Sequence, residues 1–546
     1  MKNTLIFLSL ITLFACKKQQ VIPQSDNFTI MSTRVGNAVD LNQFVGVNRI
    51  ADLQIGFSSK IDKSKAQENV SLQQLNNQKN IPFELLYKNG DCTLIIKPKE
   101  SFLFGTKYQA RIFKNFSNLN GTTLETEQSF YLTTEIDTSK KFTTLSTDDL
   151  LTKIQQQTFK YFWDFGHPES GLSRERNSSG DIVTSGGSGF GIMAIVVAAE
   201  RNFVTRQESV DRLNKITDFL LQKSERFHGA FPHWLNGKTG KAIAFSPKDN
   251  GADLVETSYL MQGLLTAREY YSQNTASESK LRKNITQLWN EVEWSWFTKN
   301  GEKKLYWHWS PTYGWDMNMP IKGWNECLIT YILAASSPTF PIDKETYTKG
   351  WTENATFLNG KSYFGIKLPL GPAYGGPLFF SHYSFLGLNP KGLKDEFANY
   401  WDQNVAHSQI NYAYCVNNPK KFYGYSSNCW GLTASDIQNG YTANDPTNDN
   451  GTITPTAAIS SLPYTPVESM KAIQYFYYVL GDKTWKEYGF VDAFNLSNTW
   501  YADSFLAIDQ GPIIIMIENY RTQLLWNQFG KSQEVKNGLK KLGFTY

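Results

Sequence analysis

The sequence predicts a two-part chain: a small all-β sandwich over residues 27–135, then a large all-α toroid of paired helices over residues 148–546. Three observations predict it. Apolar residues recur with period two across 28–134, and the period becomes helical after a polar stretch at 137–147. The helical segments are also of two kinds, amphipathic and apolar all round, as an exposed layer packed around a buried one requires.

In the first part Leu53, Ile55 and Phe57 alternate with polar neighbours. Residues 83–87, 92–96, 108–113 and 130–132 read as further short strands, separated by turns such as Lys88-Asn89-Gly90-Asp91. Their order resembles the bacterial Ig-like modules of envelope proteins, through Gln54-Ile55-Gly56-Phe57, Leu94-Ile95-Ile96-Lys97-Pro98 and Gly105-Thr106-Lys107-Tyr108. This part holds no convergent acid, base or metal cluster, so a spacer or support role is expected.

In the second part, residues 148–165, 190–201, 209–224, 252–271, 278–296, 325–335, 372–386, 393–406, 455–462, 466–480 and 512–526 read as helices. Thr465-Pro466-Val467-Glu468 reads as a capping box with Pro at the first helical position, and Gly511-Pro512 as the opening of the last long helix.

The first residues bear on the compartment. Lys2 gives a positive start, residues 5–14 are apolar but too few to span a bilayer, and Leu13-Phe14-Ala15-Cys16 ends the stretch as lipoprotein processing requires. Residues 1–16 are therefore read as a signal peptide ending at a lipidated Cys16, which anchors the chain to a membrane. Lys17-Lys18-Gln19-Gln20 carries no acidic residue, which favours the periplasmic side of an outer membrane.

A net charge of +4 with interspersed signs leaves no basic stripe for nucleic acid. Aromatic residues make up 14% of the chain, with 15 Trp and 28 Tyr. Large helix cores account for most of them, and aromatics also form the platforms on which sugar rings stack. Cys92, Cys327, Cys415 and Cys429 show no paired CxxC spacing, which argues against a structural zinc. Cys327 reads as a buried thiol; Cys415 and Cys429 stand close enough in sequence to close a loop.

Acid–base hydrolysis of a glycosidic bond needs two carboxyl groups, one protonated and one ionised. Asp249, Asp253 and Glu256 fall at i, i+4 and i+7, one helical face on which like charges raise at least one pKa. Asp253 with Glu256 also fits a helix capping box, a purely structural reading. Glu326 opens an almost wholly apolar helix, so it is at the mouth of the toroid or buried. Glu518 and Arg521, at i and i+3, read as a structural ion pair. Asp445, Asp449 and Gly451 lack the spacing of a calcium loop, and Gly186-Gly187-Ser188-Gly189-Phe190-Gly191 lacks the ending of a nucleotide loop. That glycine run reads as backbone lying close to substrate or to another helix.

Together the motifs resemble one family. Tyr161-Phe162-Trp163-Asp164-Phe165, Gly171-Leu172-Ser173-Arg174-Glu175-Arg176, the glycine run, Asp253-Leu254-Val255-Glu256-Thr257, His382-Tyr383-Ser384-Phe385-Leu386-Gly387-Leu388, Cys429-Trp430-Gly431-Leu432 and Ala507-Ile508-Asp509-Gln510-Gly511-Pro512 are similar to the glucoamylase-like proteins of glycoside hydrolase family 144. The match runs from about residue 150 to the C-terminus. It implies an (α/α)6 barrel and inverting hydrolysis of β-1,2-glucan, endo or exo with release of sophorose, with no metal required; a monomer without a cofactor is expected. Asp249, Asp253, Glu256 and Glu326 then correspond to the acidic residues of the cleft. Glu326 is the favoured general acid, and the Asp249/Asp253/Glu256 cluster the source of the base or of the field that positions water. Trp324 and Trp430 are expected to hold the sugar, with Trp163, Arg174, Tyr374 and His382 as further contacts. Two rivals remain: a non-catalytic glycan-binding lipoprotein, which has no need of crowded acids, and an α/α-toroid polysaccharide lyase, which needs basic residues to neutralise uronates.

Overall fold

The computed structural model describes residues 27–40 and 42–546; Cys16 and the signal segment lie outside them. The chain divides into two compact units at Glu135/Ile136.

The first unit is a sandwich of two sheets. One holds β1 (Ile30–Val35), β2 (Ala38–Val39), β4 (Leu53–Phe57), β6 (Phe83–Lys88) and β7 (Thr93–Pro98), in the order β2-β1-β4-β7-β6. The other holds β3 (Gln43–Val47), β5 (Val70–Gln74), β8 (Lys107–Ile112) and β9 (Gln128–Thr134), in the order β3-β9-β8-β5. Alternation puts Ile55, Leu94, Ile96, Ala110 and Ile112 on the inner faces, where all are buried. The Lys88–Asp91 turn works because Asn89, Gly90 and Asp91 all adopt positive φ. One pairing departs from the antiparallel expectation. β3 runs parallel to β9, with Gln43 opposite Tyr131 and Phe44 opposite Leu132.

The second unit is helical. Five segments are buried along most or all of their length: Ser185–Glu200, Leu254–Tyr270, Leu328–Ser336, Pro455–Ser460 and Ala507–Arg521. Around them lie amphipathic helices such as Thr147–Trp163, Arg206–Gln222, Ala276–Glu291 and Pro466–Gln474. Ser185–Glu200 packs on Leu254–Tyr270 and that on Leu328–Ser336, while Ala507–Arg521 packs on both Pro455–Ser460 and Ser185–Glu200. This is the α/α toroid that the mixed pattern predicts. Ser146 and Thr205 cap their helices, the latter in a full capping box with Glu208. The closest inner crossing is made by glycines: a Cβ on Gly189 would stand 2.2 Å from the Tyr259 carbonyl oxygen, and one on Gly263 2.2 Å from that of Gly189. The glycine run therefore serves helix–helix contact.

Several local expectations are corrected. Residues 372–386 are not one helix but short turns, because Tyr374, Gly375 and Gly376 all take positive φ. These turns still fill the sixth inner position, with the His382 ring bonded to Ser461 Oγ at 3.0 Å and Ile329 N–H donating to Ser384 Oγ. The helix placed at 393–406 runs from Tyr400 to Asn417, capped by Asn399. Thr465 makes no side-chain cap; its hydroxyl turns to the Ser461 carbonyl and Ser469. The last long helix starts at Ala507, so Pro512 lies inside it and withholds one helical hydrogen bond. Cys415 and Cys429 are buried free thiols rather than a bridge.

Glu518 pairs not with Arg521 but with Arg201, which donates to its two oxygens at 2.8 and 2.9 Å. Gln155 and Thr522 donate to the same buried carboxylate, while Arg521 reaches Asp148 and Gln155. Removing Arg201 would strand that charge among apolar helices. Arg201→Ala is expected to cost about 3–5 kcal/mol, read as a lower urea midpoint for unfolding.

Candidate active site

Among the described residues, a cavity of about 360 Å³ lies at the N-terminal ends of the inner helices. Glu256 and Tyr259 come from the start of Leu254–Tyr270, Glu326 from just before Leu328–Ser336, and Ile508 from the start of Ala507–Arg521. His233, Trp234, Phe245, Trp307, Phe379, Tyr383 and Tyr441 supply aromatic walls from the loops and short strands. Helix N-termini favour ionised carboxylates, whereas burial opposes them.

At Glu326 burial wins. With the charges of Asp253 and Glu256 adding to it against a backbone hydrogen bond, the carboxyl is pushed up to about 7. It is thus an acid still about half protonated at neutrality, on the wall of an aromatic cavity. Glu256 is also raised, first by burial and then by Asp253, although His233 pulls the other way. Its Oε2 accepts from Gly186 N–H at 2.6 Å and from Thr184 Oγ1 at 3.0 Å. Gly186 permits this approach, since a Cβ there would lie 2.7 Å from that oxygen.

Asp253 is the N-cap of Leu254–Tyr270: its Oδ1 accepts from Val255 N–H at 3.0 Å and Glu256 N–H at 2.9 Å. The reciprocal half of the capping box is missing, because Glu256 is spent on Gly186 and Thr184. Asp253 Oδ2 faces His233 Nδ1 at 3.0 Å and His308 Nδ1 at 3.7 Å, and His308 Nδ1 stands 3.4 Å from Asp249 Oδ2. Burial opposes the charge on Asp253, but the His233 hydrogen bond and the two imidazoles hold its pKa below the usual range. Burial likewise opposes charge on His233, yet Glu256, Asp253 and Asp249 carry it up to about 9. His308 is raised in the same way. His233, Asp249 and Asp253 offer ligand atoms within 4.8 Å of one another, the spacing a cation could use. In the described structure the imidazoles face the carboxylates, His233 toward Asp253 and His308 toward Asp249.

The structure therefore brings Asp249, Asp253, Glu256 and Glu326 into one region but puts only Glu256 and Glu326 on the cavity wall. The proposed sugar contacts are not brought there. Trp324 is turned into the core against Phe385 and Tyr400, and Trp430 is buried with Nε1 donating to the Glu468 carbonyl. Trp163 lies under Arg212, Arg174 over Phe165, and Tyr374 beside Tyr363. His382 is buried, which drives it down to about 3. Sequence reasoning missed His233 and His308, which meet Asp253 only through short strands, and the aromatic walls Trp234, Phe245 and Trp307.

A second acidic group lies near the wall. Arg176, which lines the cavity, donates to both oxygens of Asp436, whose N–H donates to Asp492 Oδ2 at 2.7 Å. Burial, with the neighbouring acids adding to it, pushes Asp492 up to about 7 and Asp509 well above the carboxylate range.

The family model described as "Putative glucoamylase" matches residues 318–533. A Bacteroides uniformis ATCC 8492 structure given the same description is 56% identical, covering 74% of this chain and 99% of that one, with a TM-score of 0.73. An endo-β-1,2-glucanase from Chitinophaga pinensis, solved with sophorotriose and glucose, is 49% identical over 74% of this chain and 99% of that one, TM-score 0.72. The chain belongs to the glucoamylase-like proteins of glycoside hydrolase family 144. Within this family an exo β-1,2-glucooligosaccharide sophorohydrolase of Parabacteroides distasonis is 46% identical over 420 residues, 73% of this chain. The match spans 58% of that relative's length. For a family 144 fold, the cavity at the inner-helix N-termini is where the chain's own carboxyl groups converge.

Proposed function

We propose that the chain hydrolyses β-1,2-glucan with inversion, Glu326 giving its proton to the leaving oxygen. The observation that carries this is Glu326 itself, a carboxyl pushed up to about 7 on the wall of an aromatic cavity that Glu256 also faces. Glu256 is the cavity-facing member of the acidic cluster and supplies the base that activates water. The names of the Chitinophaga and Parabacteroides relatives support the linkage. A lyase reading is disfavoured because Arg176 and His233, the basic residues on the wall, are both paired with carboxylates. Incubation with linear β-1,2-glucan, followed by proton NMR, is expected to show new reducing ends that appear first in the inverted, α configuration. Unsaturated products, or binding without cleavage, would sink the reading.

The membrane anchor at Cys16 belongs to the same proposal and rests on the signal sequence. No helix of the described residues is long and apolar enough to cross a membrane. Cys16→Ala is expected to release the protein from membranes, measured by fractionation; unchanged retention would refute the anchor.

A further inference from the structure

Asp253 is wholly buried and does not line the cavity. Both its oxygens are taken, Oδ1 by two backbone N–H groups and Oδ2 by His233. Neither is left for a sugar or a water. His233, by contrast, is on the cavity wall. With Nδ1 turned to Asp253, its Nε2 lies on the opposite edge of the ring, and among the described residues nothing hydrogen-bonds to it. The ring is held in place. It stacks on Phe245 at 4.2 Å and meets Trp234 edge to face, and its carbonyl accepts from Ser185 N–H.

We infer that His233 is a substrate-contacting residue, its Nε2–H donating to a hydroxyl of the bound glucan, and that Asp253 is a positioning residue whose main part in the reaction is to hold His233. The inference rests on the glucan-hydrolase reading. It is the arrangement of a buried carboxylate that fixes an imidazole's orientation and charge while the far nitrogen does the work. The surrounding carboxylates keep that nitrogen a charged donor at neutral pH, and charge-assisted hydrogen bonds are the stronger class.

The test is a double-mutant cycle on β-1,2-glucan with Asp253→Asn, His233→Ala and the pair. Asn caps a helix as well as Asp does, so Asp253→Asn keeps the helix start while losing the charge. Each single variant is expected to lower kcat/KM about 10–100-fold, the range of one charge-assisted hydrogen bond, and because each also breaks a buried pair, rates are compared well below each variant's thermal midpoint. The double variant is expected to be no worse than the worse single one. His233→Gln, which places an amide N–H near Nε2, is expected to recover part of the loss. Losses that multiply in the double variant would show Asp253 acting independently and overturn the proposal, as would wild-type kcat/KM in His233→Ala. An inactive wild-type chain would overturn the hydrolase reading and this proposal with it, whereas an active wild type with multiplying losses overturns this proposal alone.

Discussion

Glu326→Gln is expected to lower kcat by roughly 10²–10⁴-fold, the usual worth of a general acid, while substrate affinity stays close to wild type. The amide keeps the shape of the carboxyl but has no proton to give as the glycosidic bond breaks, so the loss falls on the transition state. In the wild-type enzyme kcat/KM should fall as pH rises through about 7, where Glu326 loses its proton. The same shift has a cost in stability with a definite sign. A carboxyl raised from an ordinary 4.5 to about 7 binds its proton more tightly folded than unfolded. Between those values the folded state carries the extra proton, so this group's contribution to stability falls as pH rises and stays low above 7. Glu326→Gln should therefore match wild type near pH 4 and be the more stable protein at pH 8, by up to about 3 kcal/mol. Urea unfolding at the two pH values reads this directly. Equal stabilities at pH 8, or a kcat within a few-fold of wild type, would remove Glu326 from its role and turn attention to the Asp492–Asp509 pair.

What the sequence made legible were features written in local period. Leu53, Ile55 and Phe57 announce a half-buried strand, and the all-apolar run of Leu328–Ser336 announces a helix with no exposed face. Asp249, Asp253 and Glu256 do come together, but not as one helical face: Asp249 lies in a turn and Asp253 caps the helix from outside, so only Glu256 is helical. Asp253 became a cap and Glu256 a wall residue because Gly186 N–H competes for the Glu256 carboxylate. Partner choice lies beyond local period. That β3 pairs parallel with β9, or that Asp253 lies opposite His308 across a two-residue ladder, depends on registers set by the whole toroid or sandwich. The same holds for Trp324 and Trp430, where aromatic character showed but the direction of the side chain did not. At residues 372–386 an apolar run was broken by backbone geometry at Tyr374, Gly375 and Gly376, which composition alone does not reveal.

Glu256→Gln should lower kcat on the same scale as Glu326→Gln, and Gly186→Ala should reproduce much of that loss without removing any carboxyl. Within a helix Gly→Ala ordinarily stabilises by roughly 1 kcal/mol, so propensity alone predicts a sturdier protein. Geometry opposes it. An added Cβ at Gly186 would sit 2.7 Å from Glu256 Oε2, 2.9 Å from its Cδ and 2.9 Å from the Tyr259 ring, closer than such atoms pack. Both neighbours are buried, and Tyr259 is wedged among Phe190 and Tyr383, so the carboxylate must give way. Moving it breaks the 2.6 Å bond from Gly186 N–H that fixes its direction. Because a reacting group displaced by about 1 Å can cost on the order of 10²-fold in rate, a loss of that size in kcat is expected, with a lowered thermal midpoint. Gly187→Ala is a less direct control: its Cβ would meet Thr184 and Ala507 rather than Glu256. A Gly186→Ala enzyme with wild-type kcat would show that the precise seat of Glu256 does not matter, and would exclude it as the base.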